Sequence, residues 1–211
     1  MKERPILFSG PMVRAILEGR KTQTRRVVNS PDPLCCDPRP IRSDYEVGMR
    51  LWVREPWGID SLGGMSGPNE YSHDYEVRYR ADGFRQSFSI DGPRGVTDPY
   101  MRYFDTQRGE WRPSIHMPRW ASRITLEVVK VRVERVQKIS EEDARAEGVP
   151  KLDGWPKNNR QLEALLIADR EGKLGTHKGA FEVLWDSINA KRGYGWDANP
   201  WVWVIEFRRI A

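Results

Sequence analysis

Cysteine and histidine are scarce in this chain of 211 residues, which contains two cysteines and three histidines. The cysteines, Cys35 and Cys36, are neighbours, and a disulfide between adjacent residues would be strained. No second pair of thiols exists, and neither His73 nor His177 has a cysteine or carboxylate at the spacing of a zinc-ligand set. We therefore expect free thiols in a reducing compartment, no metal ion and no cofactor.

Long apolar runs are also missing. No stretch approaches the roughly 18 apolar residues of a membrane-spanning helix, and residues 5–8 are too few for a signal peptide. The sequence lacks internal repeats, heptads, phosphate-binding glycine loops and dinucleotide fingerprints as well. We expect a protein of the host cytoplasm that binds no membrane, and we infer no obligate protein partner.

The balance of charge is mildly basic. Lys and Arg number 35 against 30 Asp and Glu, which gives a net charge of +5 and an isoelectric point near 9.3. Such an excess modestly favours polyanions, so a nucleoside, RNA or DNA is the expected partner. The length suits one good core, and we predict a single domain over 1–211.

Residues 19–26 are the most informative segment, because they concentrate cations and hydroxyls directly after a short amphipathic helix. Ser9 can cap that helix at its start, and Gly19 can end it. The segment's charged and hydroxyl-bearing side chains are Arg20, Lys21, Thr22, Thr24, Arg25 and Arg26.

A strand is predicted over residues 22–28, which alternate and include β-branched side chains. Lys21 and Thr24 then lie at a helix-to-strand junction, where side chains can converge on one anion-binding pocket. A solvated loop with incidental charge remains the alternative.

The spacing of Gly19, Lys21, Thr24 and Arg26 resembles the G-x-K-x-x-E-x-R signature of the ASCH family, whose members are small β-barrel domains related to the RNA-binding PUA domains. The resemblance implies an α+β fold with a PUA-like small β-barrel and flanking helices. Thr24 is a departure, because the signature has Glu at that position.

One branch of the family has a threonine at this position. In the small bacterial N4-acetylcytidine amidohydrolases the turn reads Lys, two residues, Thr, and these two residues act with a Glu from a later helix. Residues 139–148 resemble that helix, and the alignment gives Glu147 the catalytic position. The resemblance thus implies a Lys21, Thr24 and Glu147 site.

Two further segments, 51–57 and 199–204, resemble enlarged ASCH proteins of phages and prophages. The resemblance covers about half of the chain, so we expect insertions at about 58–115 and 150–178. It also implies a bacterial host and an origin in a phage.

The implied chemistry is hydrolysis of an acyl group on a modified cytidine. Thr24 would serve as the nucleophile or position a water, Lys21 would accept its proton if burial and neighbouring cations lower the lysine pKa, and Glu147 would protonate the leaving amine. The neighbouring cations are Arg20, Arg25 and Arg26.

Two other functions stay open. A non-catalytic RNA or DNA reader would use Lys21, Arg25 and Arg26 to hold phosphate, with affinity that falls steeply as salt rises. Some ASCH proteins also resemble ribonucleases, in which case the same cations would stabilise the transition state of single-stranded RNA cleavage.

The pattern Ser-x-x-Asp at Ser140 and Asp143 predicts a capped helix through Glu147 that Gly148 ends. Capping explains the serine and the aspartate without any catalysis. A carboxylate at the negative end of a helix is electrostatically disfavoured unless a cation such as Lys21 approaches it.

A second group of candidate substrate-binding residues lies outside these segments. Glu55 and Trp57 follow a strand predicted over 49–54, and Glu55 either faces the pocket or pairs with a neighbouring arginine. Trp120 lies between two arginines, an arrangement that suits a nucleobase or a packed cluster. We include these residues as substrate-binding candidates: Glu55, Trp57, Arg119, Trp120 and Arg123.

Other patterns predict the remaining elements. Residues 75–84 suggest a hairpin, and the aromatic residues and arginines of the insertion at about 58–115 can either stack bases and hold phosphates or pack the insertion on itself. Residues 124–133 change phase, which predicts a long strand with a bulge. Helices are predicted over 159–170 and 179–190, and an aromatic strand over 201–208 is expected to close a sheet.

Overall fold

The computed structural model describes residues 2–28, 43–66, 70–93, 110–150 and 175–211. These residues form a mixed α+β protein, as the sequence predicts. Both cysteines and the helix predicted over 159–170 lie outside them. The strands and helices are β1 Glu3–Leu7, α1 Gly10–Leu17, β2 Gln23–Val27, β3 Arg50–Arg54, β4 Trp57–Ser66, β5 Glu70–Tyr79, β6 Arg85–Pro93, β7 Thr125–Arg135, α2 Glu141–Ala146, α3 His177–Asn189 and β8 Trp201–Arg209.

The chain divides into two compact units. Unit 1 comprises Met1–Glu3, Ala15–Leu51 and Leu126–Ala211, and unit 2 comprises Arg4–Arg14 and Trp52–Thr125.

Unit 1 contains β2, β7 and β8 with the beginnings of β1 and β3, and these strands are hydrogen-bonded in the order β1-β3-β7-β8-β2. β8 pairs antiparallel with β2 on one side and with β7 on the other. We expected this strand to close the sheet, but it lies in the interior. Val204 and Ile205 of β8 point to opposite faces of the sheet, and both are fully buried.

β7 carries the predicted bulge. Its pairing with β8 shifts register between Val128 and Lys130. The extra residue at that point lets the apolar side chains before and after it face the same side of the sheet.

The core of unit 1 lies where α2 and α3 meet the sheet. Phe181 and Trp185 of α3 are buried there, as their helical spacing predicts, whereas Ile188 near the end of the helix is exposed. The buried cluster consists of Val136, Ile139, Ala144, Phe181, Trp185, Trp196, Val202 and Val204.

Unit 2 contains an antiparallel sheet in the order β4-β5-β6. The predicted hairpin is confirmed between β5 and β6. Gly83 adopts a positive φ of 76°, and the Asp82 carboxylate accepts a hydrogen bond from the Phe84 N–H at 3.1 Å. Both features are typical of a tight turn.

The core of unit 2 contains two of the aromatic side chains that we expected either to stack bases or to pack. Tyr75 and Tyr79 are buried and pack, whereas Phe84 in the turn is half exposed. The buried cluster consists of Trp57, Ile59, Tyr75, Val77, Tyr79, Met117 and Ala121.

The strands within the described ranges form open sheets, and no closed barrel is detected among them. In the same ranges, no helix combines the length and the apolar character that crossing a membrane requires.

Candidate functional site

The predicted turn between α1 and β2 is held by its backbone. Gly19 has a φ of 74°, as a residue that ends a helix should, and the N–H groups of Arg20 and Lys21 both donate to Ala15 O at 2.9 Å. The next N–H, that of Thr22, donates to Ala146 O at 2.9 Å. These contacts bring the turn against the end of α2.

α2 begins and ends as predicted. The Ser140 hydroxyl accepts a hydrogen bond from the Asp143 N–H at 3.0 Å, which caps the first turn. Glu147 is the C-cap, and Gly148 follows with a φ of 75°. Glu147 also forms an isolated antiparallel backbone bridge with Lys21.

The side chains of this bridge pair form a buried ion pair. Lys21 Nζ lies 2.8 Å from Glu147 Oε2, and only 1% of the lysine side chain and 4% of the glutamate side chain are exposed. The same ammonium donates to Glu147 O and to Gln23 O, each at 2.9 Å. All three acceptors are oxygens, so the three N–H bonds of a protonated lysine are used.

Burial lowers the pKa of Lys21 below its ordinary value, because a charged ammonium loses its hydration there. The Glu147 carboxylate opposes this effect, and the nearby cations Arg26 and Arg25 add to it. A lysine that acts as a base needs a lowered pKa. Lys21 meets this condition, and burial is the main cause.

Arg25 holds the second oxygen of the glutamate. Its Nη1 lies 3.1 Å from Glu147 Oε1, and its Nη2 lies 2.7 Å from Glu134 Oε1 and 3.0 Å from Asp143 Oδ2. The guanidinium is buried over the Phe181 ring. We expected Arg25 to bind substrate or phosphate; its guanidinium pairs with three carboxylates of the protein, and its contact with a ligand stays a prediction.

Arg132 extends this ion network. Its guanidinium pairs with Asp143 at 2.8 Å, with Glu134 at 3.5 Å and with Glu206. Burial alone would raise the pKa of Asp143, but hydrogen bonds and charge from Arg132 and Arg25 outweigh it and lower that pKa. The sequence reasoning missed Glu134 and Arg132, although their spacing of two residues on β7 places both on one face of the strand.

Thr24 is buried in β2, where its partner across the sheet is Ile205. Side chains alternate along a strand, so Thr24 and Arg26 face the side opposite to Gln23 and Arg25. Among the described residues, no hydrogen bond joins the Thr24 hydroxyl to Lys21 or Glu147. The structure thus joins two of the three predicted catalytic residues directly.

Two other predicted cations differ in exposure. Arg20 is exposed; its Nε lies 2.6 Å from Glu18, and its Nη1 donates to Gly148 O at 3.1 Å. Arg26 is half-buried, and burial lowers its pKa against the opposing effects of Tyr45 and Glu147. Arg20 is therefore the more accessible of the two to a ligand.

The remaining predicted residues belong to unit 2. Glu55 is fully buried and pairs with Arg123 through both oxygens, at 2.9 and 3.1 Å. Arg123 also holds Asp82 through two bonds of 2.9 Å and lies over the Tyr79 ring at 4.2 Å. Glu55 thus pairs with an arginine, but one that is 68 residues away in the chain and not the neighbouring arginine that we expected.

Burial raises the pKa of Glu55, although hydrogen bonds and charge from Arg123 oppose the rise. For the more exposed Asp82, the same arginine outweighs burial and lowers the pKa. Burial also raises the pKa of Tyr79 to about 12. Arg123 makes four hydrogen bonds to these two carboxylates, which favours a structural role over substrate binding.

Trp57 and Trp120 pack against each other edge to face, with ring centroids 5.9 Å apart. Trp57, a predicted substrate-binding residue, has no exposed surface and belongs to the core of unit 2. Trp120 is 37% exposed, and Arg119 beside it is exposed too.

In the ranges that the structure covers, no group of three or more His, Cys, Asp or Glu residues is arranged to hold a metal ion. No protein-family model matches the chain, and neither a curated protein nor a solved structure matches it.

Proposed function

We propose that this protein is a hydrolase of the ASCH type that removes an acyl group from N4-acylated cytidine, with Lys21, Thr24 and Glu147 as its catalytic residues. The proposal includes a PUA-like small-barrel fold with two insertions, action in the cytoplasm of a bacterial host and an origin in a phage. It is carried by one observation, the 2.8 Å contact between Lys21 Nζ and Glu147 Oε2.

The contact matters because its partners are 126 residues apart in the chain. The lysine was selected by the motif in the turn and the glutamate by its place at the end of a later helix. Both residues were predicted from the same family resemblance, which implies that they act together. A buried lysine of lowered pKa in contact with a carboxylate is also the kind of pair from which general acid–base catalysis is built.

The chemistry requires Lys21 in its neutral form, which burial favours. The neutral amine takes the proton of the Thr24 hydroxyl as the threonine oxygen attacks the acyl carbon. Glu147 then relays this proton from Lys21 to N4 of cytosine as the C–N bond breaks, and water hydrolyses the acyl-threonine to release the acid.

The burial of the three side chains favours a second candidate, a non-catalytic nucleic-acid-binding protein. Lys21, Thr24 and Glu147 are 2%, 3% and 4% exposed, so a substrate has to displace neighbouring groups to reach them. In this second function the Lys21–Glu147 pair is structural, and exposed cations such as Arg20 hold phosphate.

The test is incubation of the purified protein with N4-acetylcytidine, followed by chromatography of the products. We expect cytidine from the wild-type protein and from Thr24→Ser, and at least a hundredfold slower release from Lys21→Met, Glu147→Gln and Thr24→Val. Lys191→Met is the matched control, because Lys191 is an exposed lysine of the same unit.

Circular dichroism and thermal unfolding establish that each variant is folded. Turnover by folded Lys21→Met equal to that of Lys191→Met would remove the lysine from the mechanism. Unchanged nucleosides together with salt-dependent binding of labelled RNA would favour the non-catalytic function instead.

A further inference from the structure

A groove of about 880 Å³ opens in unit 1 beside the Lys21–Glu147 bridge. This volume lies within the range of small-molecule sites in proteins. Its lining residues are Gly19, Arg20, Thr22, Glu142, Arg145, Ala146, Gly148, Val149, Pro150 and His177.

The groove is distinct from the buried ion pair. Its lining includes both neighbours of Lys21 and both neighbours of Glu147, but neither of these two residues. Alternation across an antiparallel bridge explains this pattern, because adjacent residues point to opposite sides of the backbone. A ligand in the groove therefore contacts different side chains from those proposed for hydrolysis.

Two arginines bring positive charge to the groove. The Arg20 guanidinium is held by Glu18 and by Gly148 O, and these contacts use three of its five N–H bonds. Two N–H bonds remain for a ligand. Arg145 lies in the last turn of α2, is exposed and forms no ion pair within the described residues.

The hydrogen bond of His177 defines which of its two ring nitrogens carries a hydrogen. Its Nδ1 lies 2.8 Å from Val149 O, and a carbonyl can only accept, so Nδ1 carries a hydrogen. In the neutral imidazole the lone pair is then on Nε2. The start of α3 is already capped, because the Glu141 carboxylate accepts from the N–H groups of His177 and Lys178 at 2.7 and 2.9 Å.

We propose that this groove binds one nucleotide, with the phosphate held by Arg20 and Arg145 and the base packed on Val149, Pro150 and the His177 ring. A guanidinium is suited to phosphate because its N–H bonds match the spacing of the phosphate oxygens. The mostly apolar remainder of the lining suits a flat base. The inference does not depend on the proposed hydrolysis.

Glu142 allows a test of the proposed phosphate site, because its charge is opposite to that of the two arginines. It lines the same groove and carries a negative charge, which repels a phosphate bound there. Removing this charge should strengthen the binding of a nucleotide, whereas removing the charge of Arg145 should weaken it.

The experiment is titration calorimetry of the full chain with cytidine 5′-monophosphate, cytidine and a short single-stranded oligoribonucleotide. We expect the monophosphate to bind at least about tenfold more tightly than cytidine, because only the monophosphate offers charge-assisted bonds to the arginines. Arg145→Gln should weaken monophosphate binding about tenfold, and Glu142→Gln should strengthen it severalfold.

Arg192→Gln is the matched control, since Arg192 is an exposed arginine of unit 1 that does not line the groove. Tighter binding of the oligonucleotide than of the monophosphate, with the same loss in Arg145→Gln, identifies an RNA strand as the source of the nucleotide. The reverse order identifies a free nucleotide.

The proposal is overturned if the monophosphate binds no better than cytidine, or if Arg145→Gln and Arg192→Gln have equal effects. Neither ligand of this comparison carries an acyl group. A failure here is therefore distinguishable from a failure of the proposed hydrolysis.

Discussion

Lys21 and Glu147 meet twice, once through an antiparallel backbone bridge and once through a buried ion pair of 2.8 Å. The bridge fixes the backbone register between the two residues, and the ion pair fixes the positions of their charged groups. The glutamate's other oxygen is held by Arg25 at 3.1 Å. The carboxylate is therefore oriented from two sides before any substrate arrives.

This arrangement predicts unequal costs for removing its charges. Glu147→Gln leaves Lys21 close to Arg25 and Arg26 without its counter-charge and should lower the free energy of unfolding by about 3–5 kcal/mol. Lys21→Met should cost less, because the Arg25 guanidinium still balances the Glu147 carboxylate. Urea unfolding of both variants measures the difference, and a larger cost for Lys21→Met would contradict the network.

Replacing Gly148 is predicted to destabilise the protein for two reasons, its positive φ and the lack of space for a Cβ atom. Its φ is +75°, and a Cβ there would lie 2.7 Å from Lys21 Cβ and 2.9 Å from Ala15 Cβ. Gly19 is the matched control, with a φ of +74° and no described atom within 4 Å of its Cβ position. We expect Gly19→Ala to cost about 1–2 kcal/mol in denaturant unfolding and Gly148→Ala clearly more. Equal costs would contradict a steric role for the contacts of Gly148 with Lys21 and Ala15.

Arg123 in unit 2 is expected to matter chiefly through Glu55, which is the more buried of its two carboxylates. Arg123→Met leaves Glu55 buried without a cation and should cost about 3–5 kcal/mol at neutral pH. Adding Glu55→Gln should restore part of that stability, because the uncompensated charge is then gone. Chemical unfolding of the single and double variants tests this, and additive losses would refute the assignment.

The Tyr79 hydroxyl predicts a loss of stability in alkali. Burial raises its pKa to about 12, against an ordinary value of 10.0. The unfolded chain then releases this proton at lower pH than the folded chain, so the stability it contributes is complete below about pH 10 and lost as pH rises towards 12. The loss should reach at most about 3 kcal/mol. Tyr79→Phe should lack this part of the pH dependence, and a wild-type profile in the variant would exclude Tyr79 as its cause.

Local features of the fold could be predicted from the sequence because each depends on neighbouring residues. The helix end at Gly19, the cap at Ser140, the turn at Gly83 and the bulge after Val128 all follow from short patterns of glycine, polar and apolar residues. The position of β8 between two strands was missed, because sheet order depends on pairings between distant residues.

In the candidate site, too, some contacts could be predicted from the sequence and others could not. The approach of Lys21 to Glu147 was predicted through the family resemblance, whereas the capture of Arg25 by three carboxylates was not. Its partners come from β7 and α2, more than 100 residues further along the chain. A single sequence gives no spacing rule for such distant contacts, and Arg123 with Glu55 is a second example.

The central claim is that Lys21 and Glu147 carry out hydrolysis of an acylated cytidine. The most direct measurement is a time course of cytidine released from N4-acetylcytidine by the wild-type protein, read against folded Glu147→Gln at equal concentration. The account predicts stoichiometric conversion by the wild type and at least a hundredfold slower release by the variant. Equal rates, or no cytidine from either protein, would contradict it.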